Sequence, residues 1–216
     1  MTSTAQSHRV QPSGVIALAD GRRVSLRGSL PQDIDLLRAF FRALSDQARY
    51  VRFMTKCGEL SESMARRFTD IDQVRHVALT AYVTNGYVTN GYVTNGGSAT
   101  MVGEARYILS PDHPGSAEFA VAVAADWQGL GLARALLARL SGHAAVAGVH
   151  RLVGDTLASN VAMLELARAA GFTVSGNGLD GRLRRLVKEL RPTAERRSLH
   201  GFAVPAQAEL HCSQGG

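Results

Sequence analysis

The sequence predicts an α/β fold, a mixed central sheet flanked by helices on both faces, and three observations carry that expectation. An apolar segment, Ala117 to Ala125 (AEFAVAVAA), runs into a long stretch with leucines at helical spacing, and a second short strand segment follows at His150 to Thr156. This strand, helix, strand order is the signature of a parallel crossover. Upstream, Pro31 to Leu44 carries Ile34, Leu37, Phe40, Phe41 and Leu44 at spacings of three and four, one apolar stripe opened by a proline. Arg23 to Arg27 (RVSLR) before that stripe and Thr100 to Leu109 after it read as further strands.

In chain order, residues 1–20 lack periodicity and are expected to form a flexible leader, with one folded domain over 21–190 and a basic, disordered tail over 191–216. After the strand at Arg23 and the helix at Pro31, a second helix is expected after Ser45. A third follows Ser61, where the serine caps and Met64, Ala65 and Phe68 face inward. The apolar run His76 to Tyr82 then meets a perfect tandem repeat, YVTNG three times over residues 82–96. Each unit joins β-favouring residues to Asn-Gly, so the array reads as an elongated hairpin insertion, a duplication tolerated at an exposed tip. Ala117 to Ala125 is expected to be the central strand, covered on both faces. Residues 129–148 form a helix burying Leu132, Leu136, Leu137, Leu140 and Ala144. Ser159 or Asn160 caps another that ends at Gly171, with strands from Phe172 and over Arg182 to Leu190.

Composition excludes several function classes. The 216 residues are 45% hydrophobic and 6% aromatic, the composition of a globular chain. The longest apolar run, Phe119 to Ala125, falls far short of the roughly 18 residues of a membrane span, and Val15 to Ala19 is too short for a signal-peptide core. A cytoplasmic protein is expected, with Cys57 and Cys212 as reduced thiols. No C-x-x-C, H-E-x-x-H or paired Cys/His spacing occurs, so no metal site is assigned. The formal net charge is +6; residues 182–216 hold seven basic against three acidic side chains, a net +4, with Phe202 the one aromatic. Without aromatics to stack on bases, that segment makes nucleic acid an unexpected partner.

The chemistry-bearing motif lies between the apolar strand and the long helix: Asp126-Trp127-Gln128-Gly129-Leu130-Gly131-Leu132-Ala133. A glycine loop entering a helix N-terminus binds phosphate, because the backbone comes close to an anion, first-turn N–H groups donate and the helix dipole adds about half a positive charge. A dinucleotide fingerprint needs a third glycine where Arg134 stands, and a Walker loop needs G-K-[ST], which is absent. Gln-x-x-Gly-x-Ala, at Gln128, Gly131 and Ala133, resembles the coenzyme A pyrophosphate loop of the GNAT superfamily of N-acetyltransferases. Glu118 to Ala133 resembles that family's fourth strand with its loop and helix, and Asn160 to Met163 with Gly171-Phe172 its asparagine helix. Arg49 to Phe53 and Arg67 to Asp72 further resemble the catalytic domains of bacterial Pat-type protein-lysine acetyltransferases, and the resemblance spans about residues 23–190.

The resemblance implies a GNAT fold that uses acetyl-CoA as co-substrate. Pantetheine would pair with backbone near Val121 and Val123, pyrophosphate would sit on Gln128, Gly129, Leu130, Gly131, Leu132 and Ala133, and Asn160 would contact the pantetheine end. Asn160 is explained equally well as a helix N-cap. An acceptor amine near pKa 10.4 must lose a proton before attack. Glu118 matches the glutamate that Pat-type enzymes use as base and shares a strand face with the small Ala120, Ala122 and Ala124, though a strand-end charge in solvent explains it too. Ala167 stands where many family members carry an acid tyrosine, and a coenzyme A thiol near pKa 8.5 departs without one. The expected acceptor is a protein lysine, attacked directly in a ternary complex. A small amine or antibiotic is the alternative acceptor, and a non-catalytic acyl-CoA-binding module the alternative function.

Overall fold

A computed structural model describes residues 14–46, 48–49, 58–85, 88–89, 92–93, 98–178 and 180–190. Its strands are β1 Gly14–Ala17, β2 Arg23–Gly28, β3 His76–Asn85, β4 Val88–Thr89, β5 Tyr92–Val93, β6 Ser98–Leu109, β7 Ser116–Val123, β8 Arg151–Leu157, β9 Thr173–Asn177 and β10 Asp180–Glu189. The α-helices are α1 Ile34–Ala43, α2 Glu62–Thr69, α3 Leu132–Val146 and α4 Val161–Ala169. Eight strands form one sheet in the order β1-β2-β3-β6-β7-β8-β10-β9. Each neighbouring pair is antiparallel except β7–β8, the parallel pair that α3 connects.

The predicted stripes are the ones that bury. Leu132, Leu136, Leu137, Leu140 and Ala144 of α3 join Val102, Ala105, Tyr107, Phe119 and Leu152 in the larger core, on one face of the sheet. Leu37, Phe40, Phe41 and Leu44 meet Ala65, Tyr82 and Met101 in a second core on the other face. Burial of side chains this large, at about 1.5–3 kcal/mol each, outweighs the modest intrinsic helix propensity of a phenylalanine-rich helix such as α1. The Asp33 carboxylate fastens the start of α1 to the sheet. It is buried and takes two guanidinium donors of Arg27 at 2.6 and 2.7 Å, the Tyr82 hydroxyl at 3.0 Å and the Leu30 N–H at 2.9 Å. Both carboxylate oxygens are thus engaged, the condition under which a buried charge is tolerated. Burial, and then the Asp33 charge, push the Tyr82 phenol well above its ordinary pKa.

Several expectations are corrected. Gly14–Ala17 pairs with β2, so the sheet begins at Gly14, inside the stretch expected to be a leader; a four-residue edge strand is too short to show periodicity. The helix expected from residue 129 begins at Leu132, because Gly129 and Gly131 both lie at positive φ and stay in the loop. Coverage of β7 is uneven: Ala117, Phe119 and Val123 are buried on one face, where Val121 is half-buried, and on the other Ala120 and Ala122 are half-buried and Glu118 is exposed. β10 inserts beside β8 and pushes β9 to the edge, an order the linear pattern does not encode. The helix after Ser45 falls largely outside the described residues, as do Cys57, Cys212 and the segments 1–13 and 191–216. Among the described residues no helix is long and apolar enough to cross a membrane, and no group of His, Cys, Asp and Glu could hold a metal ion.

The repeat array divides between core and tip. Tyr82, its first residue, is buried against Asp33, and β3 continues to Asn85, opposite Ser98. Further out, β4 pairs with β5 through Val88↔Val93 and Thr89↔Tyr92. Deleting residues 87–96 keeps Tyr82 and the whole β3–β6 ladder, so the denaturation midpoint should move by less than about 0.5 kcal/mol equivalent. Chemical unfolding checks this, and a loss of more than about 2 kcal/mol would give the outer repeats a structural role.

Candidate active site

β7 and β8 begin as partners and then separate. Their pairing consists of Ser116↔Arg151, Ala117↔Leu152 and Glu118↔Val153, yet β7 runs on to Val123 and β8 to Leu157. Phe119 is the first residue of β7 beyond that pairing. Its ring lies against Phe172 with centroids 4.7 Å apart and leans over Gly154 so closely that a Cβ there would meet Phe119 Cε1 at 2.8 Å and the Phe119 carbonyl at 3.1 Å. Only a glycine leaves room for that ring and carbonyl at this approach.

The separation exposes one edge of β7. The Ala124 N–H donates to the Val102 carbonyl at 3.0 Å, so Ala124, Ala122 and Ala120 direct their backbone groups at β6. By alternation, Val121 and Val123 direct theirs into the gap, where no described strand pairs with them. The Val123 carbonyl accepts from Gln128 Nε2 at 3.0 Å, which folds the loop back onto the strand end. Gly129 and Gly131 follow at φ +73 and +86, and a Cβ built on either would meet nothing within 4 Å. Backbone conformation, not crowding, therefore demands these glycines, and the space in front of them is open. Gly131 is the N-cap of α3, whose first N–H groups have no intrahelical acceptor.

Glu118 stands at the closed end of the gap, on the face opposite α3. Its cross-strand neighbours on that face are Ile108 of β6 and Val153 of β8. A cavity of about 890 Å³ opens there, lined by Glu118, Ile108, Val153, Asp155, Arg185 and the 110–116 loop among others. Ion pairs tie its far wall together: Arg185 Nε to Asp155 Oδ1 at 2.7 Å and Arg151 Nε to Glu189 Oε1 at 2.6 Å, both between β8 and β10. These exposed pairs add little stability but cancel one another's charge. Glu118 and Asp112, in contrast, have no ion-pair partner among the described residues, so the cavity presents uncompensated negative charge.

Further along the same face, Glu104 and Arg106 of β6 form a buried ion pair opposite Ala122 and Ala120. Arg106 also bonds His76 Nε2 at 2.9 Å, donates to the Phe68 carbonyl at 3.3 Å and lies 4.6 Å over the Phe68 ring. Asp72 accepts N–H bonds from Val74, Arg75 and His76; burial opposes its ionisation, but these bonds prevail and hold its pKa below the ordinary value. The Arg67 to Asp72 segment thus supports the floor of the gap. Nothing in the linear sequence pairs Glu104 with Arg106 against Phe68, so this polar floor is visible only in the folded chain.

The family of acetyltransferase (GNAT) domains matches residues 23–173. The chain belongs to the GNAT acetyltransferase family. It is 32% identical over 158 residues to an acetyltransferase of Pseudomonas aeruginosa, a match covering 73% of this chain and 79% of that protein. Among solved structures, the GNAT domain of S. lividans PAT superposes with a TM-score of 0.69 at 26% identity, covering 82% of this chain and 96% of that one. A protein from Salmonella typhimurium, solved with its cofactor acetyl-CoA, superposes with a TM-score of 0.55 at 19% identity over 79% of this chain and 96% of that one, a likeness of fold.

Within this GNAT domain the residues singled out from the sequence gather along one gap: Val121 and Val123 on its edge, Gln128 to Ala133 at its open end and Glu118 at its closed end. Asn160 lies past the end of β8. Its Oδ1 accepts the Met163 N–H at 3.2 Å and its Nδ2 donates to Thr156 Oγ1 at 3.2 Å, a full set of structural contacts for an N-cap. Replacing Gly154 by alanine should force Phe119 to shift and cost about 1–3 kcal/mol of unfolding free energy by overpacking. Guanidinium denaturation measures it; a stability within about 0.5 kcal/mol of wild type would mean that Phe119 does not pack tightly on Gly154.

Proposed function

We propose that this GNAT enzyme transfers the acetyl group of acetyl-CoA to the amine of a protein lysine by direct attack in a ternary complex, with Glu118 as general base. The observation that carries the reading is the position of Glu118: at the last paired residue before β7 and β8 separate, facing a cavity of about 890 Å³. Acetyl-CoA fits the other end. The open glycine loop and the α3 N-terminus suit its pyrophosphate, and the unpaired edge at Val121 and Val123 suits the amide groups of pantetheine. Asn160 would meet the pantetheine end with whatever hydrogen-bonding capacity its capping role leaves. The similar Salmonella protein is solved with acetyl-CoA. An acceptor reaching the thioester from the cavity side meets the uncompensated carboxylates of Glu118 and Asp112, a field that favours an ammonium group. A protein-borne lysine is the acceptor that both this open, acidic approach and the similarity to S. lividans PAT favour.

The steps balance as follows. The lysine ammonium gives a proton to Glu118, which passes it to solvent; the freed nitrogen lone pair attacks the thioester carbonyl, a C–N bond forms, the C–S bond breaks, and Glu118 takes the second proton that the nitrogen loses in becoming an amide. Coenzyme A leaves as a thiolate, tolerable at a reference pKa of about 8.5, and the Glu118 proton passes to solvent. No acid is assigned, Ala167 being buried within α4 and unable to donate. No covalent intermediate on the enzyme is invoked. Because acetyl-CoA is a metabolite of the cell interior, the setting proposed is the cytoplasm.

Glu118→Gln keeps the size of the side chain but cannot take the proton. Acetyl transfer near neutral pH should fall by about 10²-fold, recover in part at high pH where the acceptor amine deprotonates unaided, and leave acetyl-CoA binding intact. Thiol release followed from about pH 6 to 10 on lysine-bearing protein and on small amines checks this and ranks the acceptors. Rates equal to wild type across that range would remove Glu118 from the chemistry. Binding of acetyl-CoA with no thiol released on any acceptor would identify a silent acyl-CoA-binding module.

A further inference from the structure

The turn between β1 and β2 touches the loop between β7 and α3 at three points. The Ala19 N–H donates to the Leu130 carbonyl at 3.2 Å. Arg22 Nη2 donates to the Asp126 carbonyl at 3.1 Å, and the Arg22 guanidinium lies 4.1 Å over the Trp127 ring. The turn is itself fixed: the Leu18 N–H bonds the Arg22 carbonyl at 2.8 Å, the Leu18 side chain is buried in the larger core, and Asp20 accepts from both the Arg22 N–H and its guanidinium. Those Arg22 bonds, the one from its backbone N–H first, hold the Asp20 carboxyl below its ordinary pKa and keep Arg22 aimed across the turn.

These contacts bear on the loop through the geometry of the peptide bond. Leu130 C=O and Gly131 N–H belong to one planar trans unit and point in opposite directions. Tying the carbonyl to Ala19 therefore turns the Gly131 N–H away from the β1–β2 turn. Gly129 and Gly131, with nothing around their Cβ positions, would otherwise let these planes rotate freely. Arg22 fixes the upstream side of the same loop by clamping Asp126 and Trp127 from above, so both ends of the glycine segment are held by one neighbouring turn.

We infer that the β1–β2 turn is a strut for the cofactor loop and that Arg22 is a positioning residue for acetyl-CoA, holding the loop N–H groups in the orientation that receives the diphosphate without touching the ligand itself. This rests on the reading of the loop as the acetyl-CoA site, and the experiment separates the two. Acetyl-CoA affinity is measured by calorimetry, and KM and kcat by thiol release, for wild type, Arg22→Ala, Arg22→Lys, the neighbouring exposed control Arg23→Ala, and Gly131→Glu, which places a side chain and a negative charge in the cradle. Arg22→Ala should raise the Kd and KM for acetyl-CoA about tenfold, while kcat at saturation and the acceptor KM stay within about twofold. Arg22→Lys keeps the charge but not the flat fork and should recover only part of the loss. Arg23→Ala should match wild type, and Gly131→Glu should abolish binding. If Arg22→Ala does not fold, Arg22→Gln, which keeps much of the length without the cation, carries the same expectation. An Arg22→Ala Kd within about twofold of wild type, with Gly131→Glu still abolishing binding, would overturn the strut and leave the site standing. Full rescue by lysine would also overturn it, since charge alone would then suffice. Normal acetyl-CoA binding by Gly131→Glu, or none by wild type, would overturn the loop site and the strut together.

Discussion

The structure turns on the separation of two parallel strands after three pairs. A continuous β7–β8 ladder would satisfy every backbone group and leave no room for a ligand. Beyond those pairs, on the side of the larger core, the Phe119 ring lies tilted against Phe172 and covers Gly154. The hydrogen bonds that β7 forgoes with β8 leave backbone donors and acceptors without strand partners. A ligand carrying amide groups can satisfy them, which is why the same defect in the sheet is both unfavourable to folding and a place to bind.

Everything around the gap keeps it from closing or collapsing. On one face α3 is sunk into the core through five apolar side chains, so its N-terminus stays at the end of β7. On the other face, buried polar contacts add to the second apolar core: Asp33 with four donors holds α1 to β2 and β3, and Arg106 with Glu104, His76 and Phe68 braces the middle of β6. Such networks add stability only when complete and are costly when one member is removed. They therefore fix geometry more than they add net free energy, and geometry is what an acyl transfer between two bound substrates requires.

Much of this is legible in the sequence because it is local. The stripe at Leu37, Phe40 and Phe41, the Ser61 cap on Met64, and the strand-to-helix glycine loop each depend on residues a few positions apart, and each is present in the folded chain. The illegible features are long-range. That Gly14 to Ala17 pairs with Arg23 to Leu26, or that Arg22 crosses to Trp127, depends on contacts the chain makes only when folded. The sequence presents Tyr82 as the start of a repeat, yet its burial against Asp33 makes it a core residue to which the duplicated segment is attached. The contact of Phe119 with Gly154 is hidden for a similar reason: an apolar residue in an apolar strand gives no sign of which glycine its ring will cover.

The most direct test of the account is amide hydrogen exchange at Val121 and Val123, read residue by residue with and without saturating acetyl-CoA. If the gap is the cofactor site, those amides and the ones from Gly129 to Ala133 should slow by about tenfold or more on binding, while Ala120 and Ala122, already bonded toward β6, change little. Saturable binding of acetyl-CoA that leaves Val121 and Val123 exchanging as before would contradict it.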